Sequence, residues 1–158
     1  MDSASIPERV IVRIAETGDI EALFSIRTSV IQNHLSREEL AAMGITPDSL
    51  RELIVSEPCA WIAETDGTPA GFSIPDLAEG SVFAMLVRPE FEGRGLGRLL
   101  MQCAEESLFR RHGVIWLVTS AADEVRANGF YRKLGWRPAG PLEGGDWRYE
   151  KQAPETGE

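Results

Sequence analysis

Three glycines, Gly93, Gly95 and Gly97, stand at alternate positions in the stretch EGRGLGR from Glu92 to Arg98. The apolar run SVFAMLV, Ser81 to Val87, precedes them, and a long amphipathic segment begins inside them. A glycine-rich turn that opens a helix is suited to binding an anion. The first N–H groups of the helix lack partners, the helix dipole adds positive potential, and the missing Cβ lets the anion reach the backbone. A Cβ at Gly95 or Gly97 is expected to fill the space that a phosphate needs. Arg94 and Arg98 read either as ionic partners of that phosphate or as solvated arginines at a helix start. A Walker A loop is excluded, because no Lys-Ser/Thr pair follows the glycines. A dinucleotide fingerprint fits poorly. The spacing is GxGxG, and five residues separate Val87 from Gly93.

A second chemistry-bearing stretch is FYRKLGW, Phe130 to Trp136. Tyr131 in it reads as an aromatic core residue on an amphipathic helix or as a proton donor. A phenol titrates near ~10 and stays protonated at neutral pH. Metal chemistry finds no support: histidine and cysteine are scarce, with two of each, and Cys59 and Cys103 form no CxxC. No metal site is expected. Cys103 reads as a small core residue of a helix, and a reducing cytoplasmic setting fits both thiols.

The elements that must position these residues follow from periodicity. RVIVRIAE alternates Val10, Val12 and Ile14 as a strand does. Asp19 or Thr17 offers a cap to a helix carrying Ile20, Leu23, Phe24, Ile26 and Val30 at helical spacing. SREE, Ser36 to Glu39, is a capping-box pattern for a second helix. Thr46 before Pro47 marks a third. CAWIAETDGTPAGFSIP reads as a hairpin turning at Asp66-Gly67. After SVFAMLV and the glycine turn comes a helix with Leu96, Leu99, Leu100, Cys103, Ala104 and Leu108 as its apolar stripe, stopped by Gly113. A strand over Val114 to Ser120, a helix closed by Gly135, and two final strands complete the order βαα(α)βββαβαββ. This is an α/β mixture with one parallel strand pair about the central helix.

Length and charge bound the rest. The chain has 158 residues, 43% of them apolar, which suits one domain over residues 10–151 with tails at 1–9 and 152–158. No apolar run approaches the roughly 20 residues needed to span a bilayer. The first residues lack the pattern of a secretory signal. A net charge of −9 argues against a nucleic-acid partner and lends slight support to a cationic one.

LVRPEFEGRGLGRLLM resembles the acetyl-coenzyme A turn of the GNAT superfamily of N-acetyltransferases, whose pattern is [QR]-x-x-G-x-[GA] after a strand ending near V-x-P. FYRKLGW is similar to that family's other signature, a helical tyrosine followed by x-K-L-G-[FW]. The resemblance extends from Val10 to about Lys151. It implies a mixed, mostly antiparallel sheet with one splayed parallel pair and flanking helices. It implies acetyl-CoA as co-substrate, with the end of the strand before the turn bulged and its opened backbone at Leu86 and Val87 pairing with the pantetheine arm. The pyrophosphate then lies over the amides of Gly93, Arg94, Gly95, Leu96, Gly97 and Arg98. Two positions depart from the pattern. Glu92 stands where Gln or Arg is usual, so its backbone alone is expected to contribute. Glu124 stands where the family often has Asn, and Asn128 does not replace it by position.

On this resemblance Tyr131 is the expected general acid that protonates the leaving thiolate. The acceptor, a primary amine of a small molecule or peptide, is expected between the first helices, near Arg27, Asn33 and His34. Candidates for the base are His34, Asp76, Glu79 and a water chain. Transfer of a longer acyl group, and an acyl-CoA sensor without catalysis, are the alternatives. The expected protein is cytoplasmic, with no membrane partner, and a homodimer is left open.

Overall fold

Seven strands pair in the order β1-β2-β3-β4-β5-β7-β6. They are β1 (Val10–Ile14), β2 (Trp61–Thr65), β3 (Thr68–Asp76), β4 (Ser81–Val87), β5 (Val114–Thr119), β6 (Arg137–Pro141) and β7 (Trp147–Gln152). The structure is a computed structural model and describes residues 9–29, 35–56, 60–119 and 124–154. Every neighbouring pair is antiparallel except β4 and β5. The helices are α1 (Ile20–Arg27), α2 (Arg37–Ala42), α3 (Pro47–Ser56), α4 (Leu96–Phe109) and α5 (Glu124–Lys133). The observed order is the one that periodicity predicts, and the parallel pair flanks α4 as expected.

Local chemistry fixes several of these elements. The β2–β3 turn puts Asp66 at φ 52° and Gly67 at φ 83°, both left-handed, as a two-residue hairpin requires. Ser36 Oγ accepts the Glu39 N–H at 3.1 Å while the Glu39 carboxylate accepts the Ser36 N–H at 2.8 Å, a complete capping box on α2. Thr46 and Ser49 make the equivalent exchange at α3. Gly135, at φ 92°, closes α5. There the Trp136 N–H reaches back to the Tyr131 carbonyl at 3.0 Å.

Other local expectations are corrected. Asp19, one of the two expected cap residues, stands at the N-cap of α1 but makes no side-chain cap bond. Asp19 lies in a 3-10 turn, accepts the Glu16 N–H at 2.7 Å and is held by Arg13 at 2.9 Å. Those hydrogen bonds from Arg13 push its carboxyl below the usual range. α4 stops at Phe109, four residues before Gly113, which lacks a left-handed φ and instead accepts the Ala153 N–H at 2.8 Å. That bond continues the pairing of β5 with β7, which runs to Gln152, by one residue. The buried stripe of α4 is also rotated. Met101 and Glu105 are buried, whereas Leu99 and Cys103 are half-buried. Burial raises the Cys103 thiol pKa. Val30, Cys59 and Ser120 lie outside the described residues.

The sheet separates two layers. On one face α1 and α3 pack Leu23, Phe24, Leu50 and Ile54 against Ile62, Phe72 and Ile74. On the other, α4 lays Leu96 and Leu100 on Ala63 and Ala70, and Met101, Ala104 and Leu108 on Val82, Ile115 and Leu117. Alternation along a strand explains how one segment serves both layers. Gly71 is required on β3 because a Cβ there would lie 2.7 Å from the Leu86 carbonyl oxygen and 3.0 Å from Leu100. Among the described residues, no helix is long and apolar enough to cross a membrane.

Candidate active site

The parallel pair is barely a pair. β4 and β5 register only at Ser81 and Trp116, with the Trp116 N–H on the Gly80 carbonyl at 3.1 Å. The cause lies in β4. Its pairing with β3 shifts where Ala84 faces Ile74 and Val82 faces Pro75, leaving Phe83 as an extra residue. A bulge of this kind bends its strand and breaks local alternation. From Val82 onward β4 has no register with β5. The bulge thus lies at Phe83, ahead of the strand end where Leu86 and Val87 were expected to deviate. Those two remain regularly paired with Phe72 and Gly71 of β3.

The edge that β4 turns toward β5 can be read from its hydrogen bonds. The Arg88 N–H bonds the Ala70 carbonyl of β3 at 2.8 Å. Backbone groups of alternate residues point the same way. Leu86 therefore directs its N–H and C=O at β3, and Met85 and Val87 direct theirs at the opened edge. Met85 was not expected from the sequence; the signal, strand alternation counted back from Arg88, needs the register to be known. Arg88 secures this end further, donating to the Pro69 carbonyl at 2.9 Å and to Ser25 Oγ at 2.7 Å.

The glycine turn follows directly. After a 3-10 turn over Pro89–Phe91, Glu92 is extended, Gly93 takes φ 79° and Gly95 takes φ 86° as the N-cap of α4. Glu92, Gly93, Arg94 and Gly95 are exposed, and Leu96 is buried beneath them. The first turn of α4 carries no acid and no side-chain cap. The first backbone bond joins the Leu99 N–H to the Gly95 carbonyl at 3.2 Å, so the Leu96, Gly97 and Arg98 N–H groups head the helix without intrahelical acceptors. Arg94 lies over the Phe91 ring at 5.3 Å, and Arg98 is exposed.

The three glycines differ in purpose. An added Cβ at Gly93 or Gly95 would meet nothing within 4 Å; left-handed backbone requires glycine there. At Gly97 a Cβ would stand 3.2 Å from Phe130 Cζ. At Gly97 the structure therefore gives a packing reason for glycine beside the expected phosphate space. Gly97 leaves space for α5, bringing Phe130 and its neighbour Tyr131 against the start of α4.

Tyr131 is half-buried within an aromatic group. Its ring lies 5.0 Å from Phe130, 6.1 Å from Trp136 and 5.7 Å from Tyr149. A buried carboxylate braces that group. Glu105 accepts the Trp136 indole N–H at 2.9 Å and Lys151 Nζ at 2.7 Å, and Lys151 also donates to the Leu134 carbonyl at 2.7 Å. A buried charge is tolerated only with such partners, and here they join α4, the end of α5 and β7.

On the other face, Arg27 lines a cavity of about 50 Å³ together with Phe83 and Ala84 of β4. Burial lowers the Arg27 pKa. The bulge puts Phe83 and Ala84 on this same face, and Phe83 is 53% exposed. Asn33 and His34 lie outside the described residues, as do the side chains of Glu124 and Asn128. Asp76 and Glu79 sit before β4, about 20 Å from its other end at ~3.3 Å per residue. Asp76 there accepts the Glu79 N–H at 3.1 Å to form a turn. Among the described residues, no group of three His, Cys, Asp or Glu is placed to hold a metal.

Comparison with known proteins agrees with this architecture. The model of the acetyltransferase (GNAT) family matches residues 21–136. An uncharacterised N-acetyltransferase of Methanocaldococcus jannaschii is 28% identical over 82 residues, 50% of this chain and 53% of that protein. The match thus spans about half the length of that relative. Two solved structures share the fold. The PaiA N-acetyltransferase of Thermoplasma acidophilum, in complex with coenzyme A, superposes with a TM-score of 0.73 at 20% identity, over 92% of this chain and 99% of that one. The ribosomal-protein-S18-alanine N-acetyltransferase of Escherichia coli gives a TM-score of 0.71 at 20% identity, over 95% and 97%.

Proposed function

The chain belongs to the acetyltransferase (GNAT) family, and from that premise we propose that it moves an acetyl group from acetyl-CoA to a primary amine by direct attack. The observation that carries this reading is the opened edge of β4 leading into the glycine turn. Met85 and Val87 offer backbone groups to the pantetheine arm and the thioester carbonyl. The amides from Gly93 to Arg98 and the α4 dipole hold the pyrophosphate. Coenzyme A was bound to the Thermoplasma acidophilum structure, which supports a coenzyme A substrate here.

The divergence of β4 from β5 beyond Ser81 brings substrates from the two faces of the sheet together in this reading. Acetyl-CoA enters from the α4 side and the amine from the α1–α3 side, past Phe83 and Ala84. The neutral amine attacks the thioester carbon, the C–N bond forms, and charge gathers on the carbonyl oxygen. The C–S bond then breaks. Tyr131 gives its phenolic proton to the leaving sulfur, and the proton shed by the nitrogen returns to the phenolate through water. No carboxylate stands on Val82–Val87, so water is assigned the proton of the incoming ammonium.

A panel of amines, amino acids and peptides, incubated with acetyl-CoA and followed by free-thiol release, tests the reading. Amine-dependent thiol release with an acetylated product supports it. Coenzyme A binding without transfer to any acceptor would leave an acyl-CoA sensor, and absence of binding would overturn both readings.

A further inference from the structure

Among the described residues, three buried side-chain atoms have no hydrogen-bond partner: Trp61 Nε1, Thr65 Oγ1 and Thr119 Oγ1. Such atoms are scarce in native proteins, and each calls for a partner. Trp61 and Thr65 lie on β2, two strands away from the β4–β5 opening. Thr119 ends β5, which borders it, and is 7% exposed. Its side chain shares a face with Ile115 and Leu117, which pack with Met101, Ala104 and Leu108 on the α4 side. Leu117 pairs with Tyr149, whose ring lies 5.7 Å from that of Tyr131. The unpartnered hydroxyl therefore stands on the face that carries Tyr131.

Its level along the opening follows from the register. Thr119 lies three residues beyond Trp116 on β5, and Met85 lies four beyond Ser81 on β4, one of the four being the extra residue of the bulge. Thr119 and Met85 thus face each other across the opening. Met85 directs its N–H into it. The glycine turn that holds the pyrophosphate follows Val87, so the pantetheine arm runs from Val87 back toward Met85. The reacting end of the arm then lies level with Thr119.

Resting on the acetyl-transfer reading above, we propose that Thr119 is a catalytic residue whose hydroxyl, together with the Met85 N–H, donates a hydrogen bond to the thioester carbonyl oxygen. A threonine hydroxyl carries one donor and stays neutral, so it stabilises charge without exchanging its proton. As the amine forms the C–N bond, the carbonyl electron pair moves onto the oxygen, and both hydrogen bonds strengthen. When the C–S bond breaks, the pair returns and the product amide carbonyl forms. The sulfur takes its proton from Tyr131, and Thr119 keeps its own throughout.

Thr119→Val keeps the branched shape and removes the hydroxyl, and three measurements read the result. The hydroxyl holds no partner in the free protein, so the melting temperature of Thr119→Val is expected to hold or rise. Free coenzyme A has no acyl carbonyl, so its affinity by calorimetric titration is expected to stay within about twofold. With the amine of the panel that turns over fastest, kcat and kcat/KM are expected to fall together by about 10²-fold, the range for one donor to a developing oxyanion. Thr119→Ser restores the hydroxyl and is expected to keep kcat within about tenfold. Full kcat in Thr119→Val would overturn the proposal. So would a marked drop in its melting temperature or a failure to fold, because the hydroxyl would then have held the fold. A loss of coenzyme A affinity at normal kcat would overturn it too, making Thr119 a residue of the arm. Each of these leaves acetyl transfer standing. Coenzyme A binding by the unaltered protein without transfer to any amine would instead remove the acetyl-transfer reading, and this proposal with it.

Discussion

On the α4 side of β4 the candidate site consists of main-chain amides and left-handed glycines. On the α1–α3 side it is a cavity walled, among the described residues, by apolar side chains and Arg27. The materials suit the ligands assigned to them. A diphosphate needs several donors at close range, which a turn of backbone supplies at no side-chain entropy cost. An amine acceptor is distinguished from its competitors by shape and charge, which only side chains read. The two regions should therefore fail differently. The backbone side breaks when conformation is disturbed, whatever the chemistry of the new residue. The cavity breaks when chemistry changes, even at constant shape.

The largest effect is expected at Gly95. Its φ of 86° disfavours any side chain, and Gly95→Asp adds a negative charge where the pyrophosphate lies. Coenzyme A affinity should fall by about 10²-fold or more, from repulsion and from distortion of the turn, while the backbone strain of about 1–3 kcal/mol lowers the melting temperature by only a few degrees. Calorimetric titration checks this. Full affinity in a folded variant would break the assignment of the turn.

Tyr131→Phe is next. The ring contacts with Phe130, Trp136 and Tyr149 survive the change, and only the proton donor is lost. For a general acid, kcat and kcat/KM should fall together by about 10²-fold, with coenzyme A affinity unchanged. Full activity would return the residue to a packing role. A loss of affinity at normal kcat would make it a binding residue.

Gly97→Ala sharpens the contrast among the glycines. Its Cβ would crowd the Phe130 ring at 3.2 Å, so the damage is to packing between α4 and α5 and should be about tenfold in kcat/KM. The double variant with Phe130→Leu should recover part of that loss, because the partner no longer fills the space. A loss in coenzyme A affinity that Phe130→Leu cannot relieve would assign Gly97 to the phosphate space.

These regions were unequally legible in the sequence. A backbone site leaves a local trace, since left-handed turns need glycine at fixed spacing, and Gly93, Gly95 and the helix after them could be read directly. The hairpin at Asp66-Gly67 and the box at Ser36–Glu39 were legible for the same reason. What distant segments build together was not. The bulge at Phe83 depends on its register with Ile74 and Pro75, and Met85 gains its place only once the Arg88 bond to Ala70 is known. Gly97 looked like its neighbours because its contact, Phe130, lies on another helix. Glu105 carries no local sign of burial in the sequence, and only folding brings Trp136 and Lys151 to it. The cavity draws on five elements, so no spacing announces it, although Arg27 was named from position alone.

The smallest expected effect separates the two kinds of argument about the acceptor. A net charge of −9 favours attraction of a cation, and a primary amine is protonated in neutral solution. Apolar cavity walls, by contrast, act only on contact. The field of the surface is shortened to about 8 Å at physiological ionic strength, whereas contact within the cavity is not screened. With acetyl-CoA kept saturating, so that its own salt dependence does not enter, KM for the amine acetylated fastest should rise by about twofold from low to physiological salt. A KM flat over that range would assign recognition to contact within the cavity and indicate an acceptor without net charge, such as a zwitterion, which the global field neither draws nor repels.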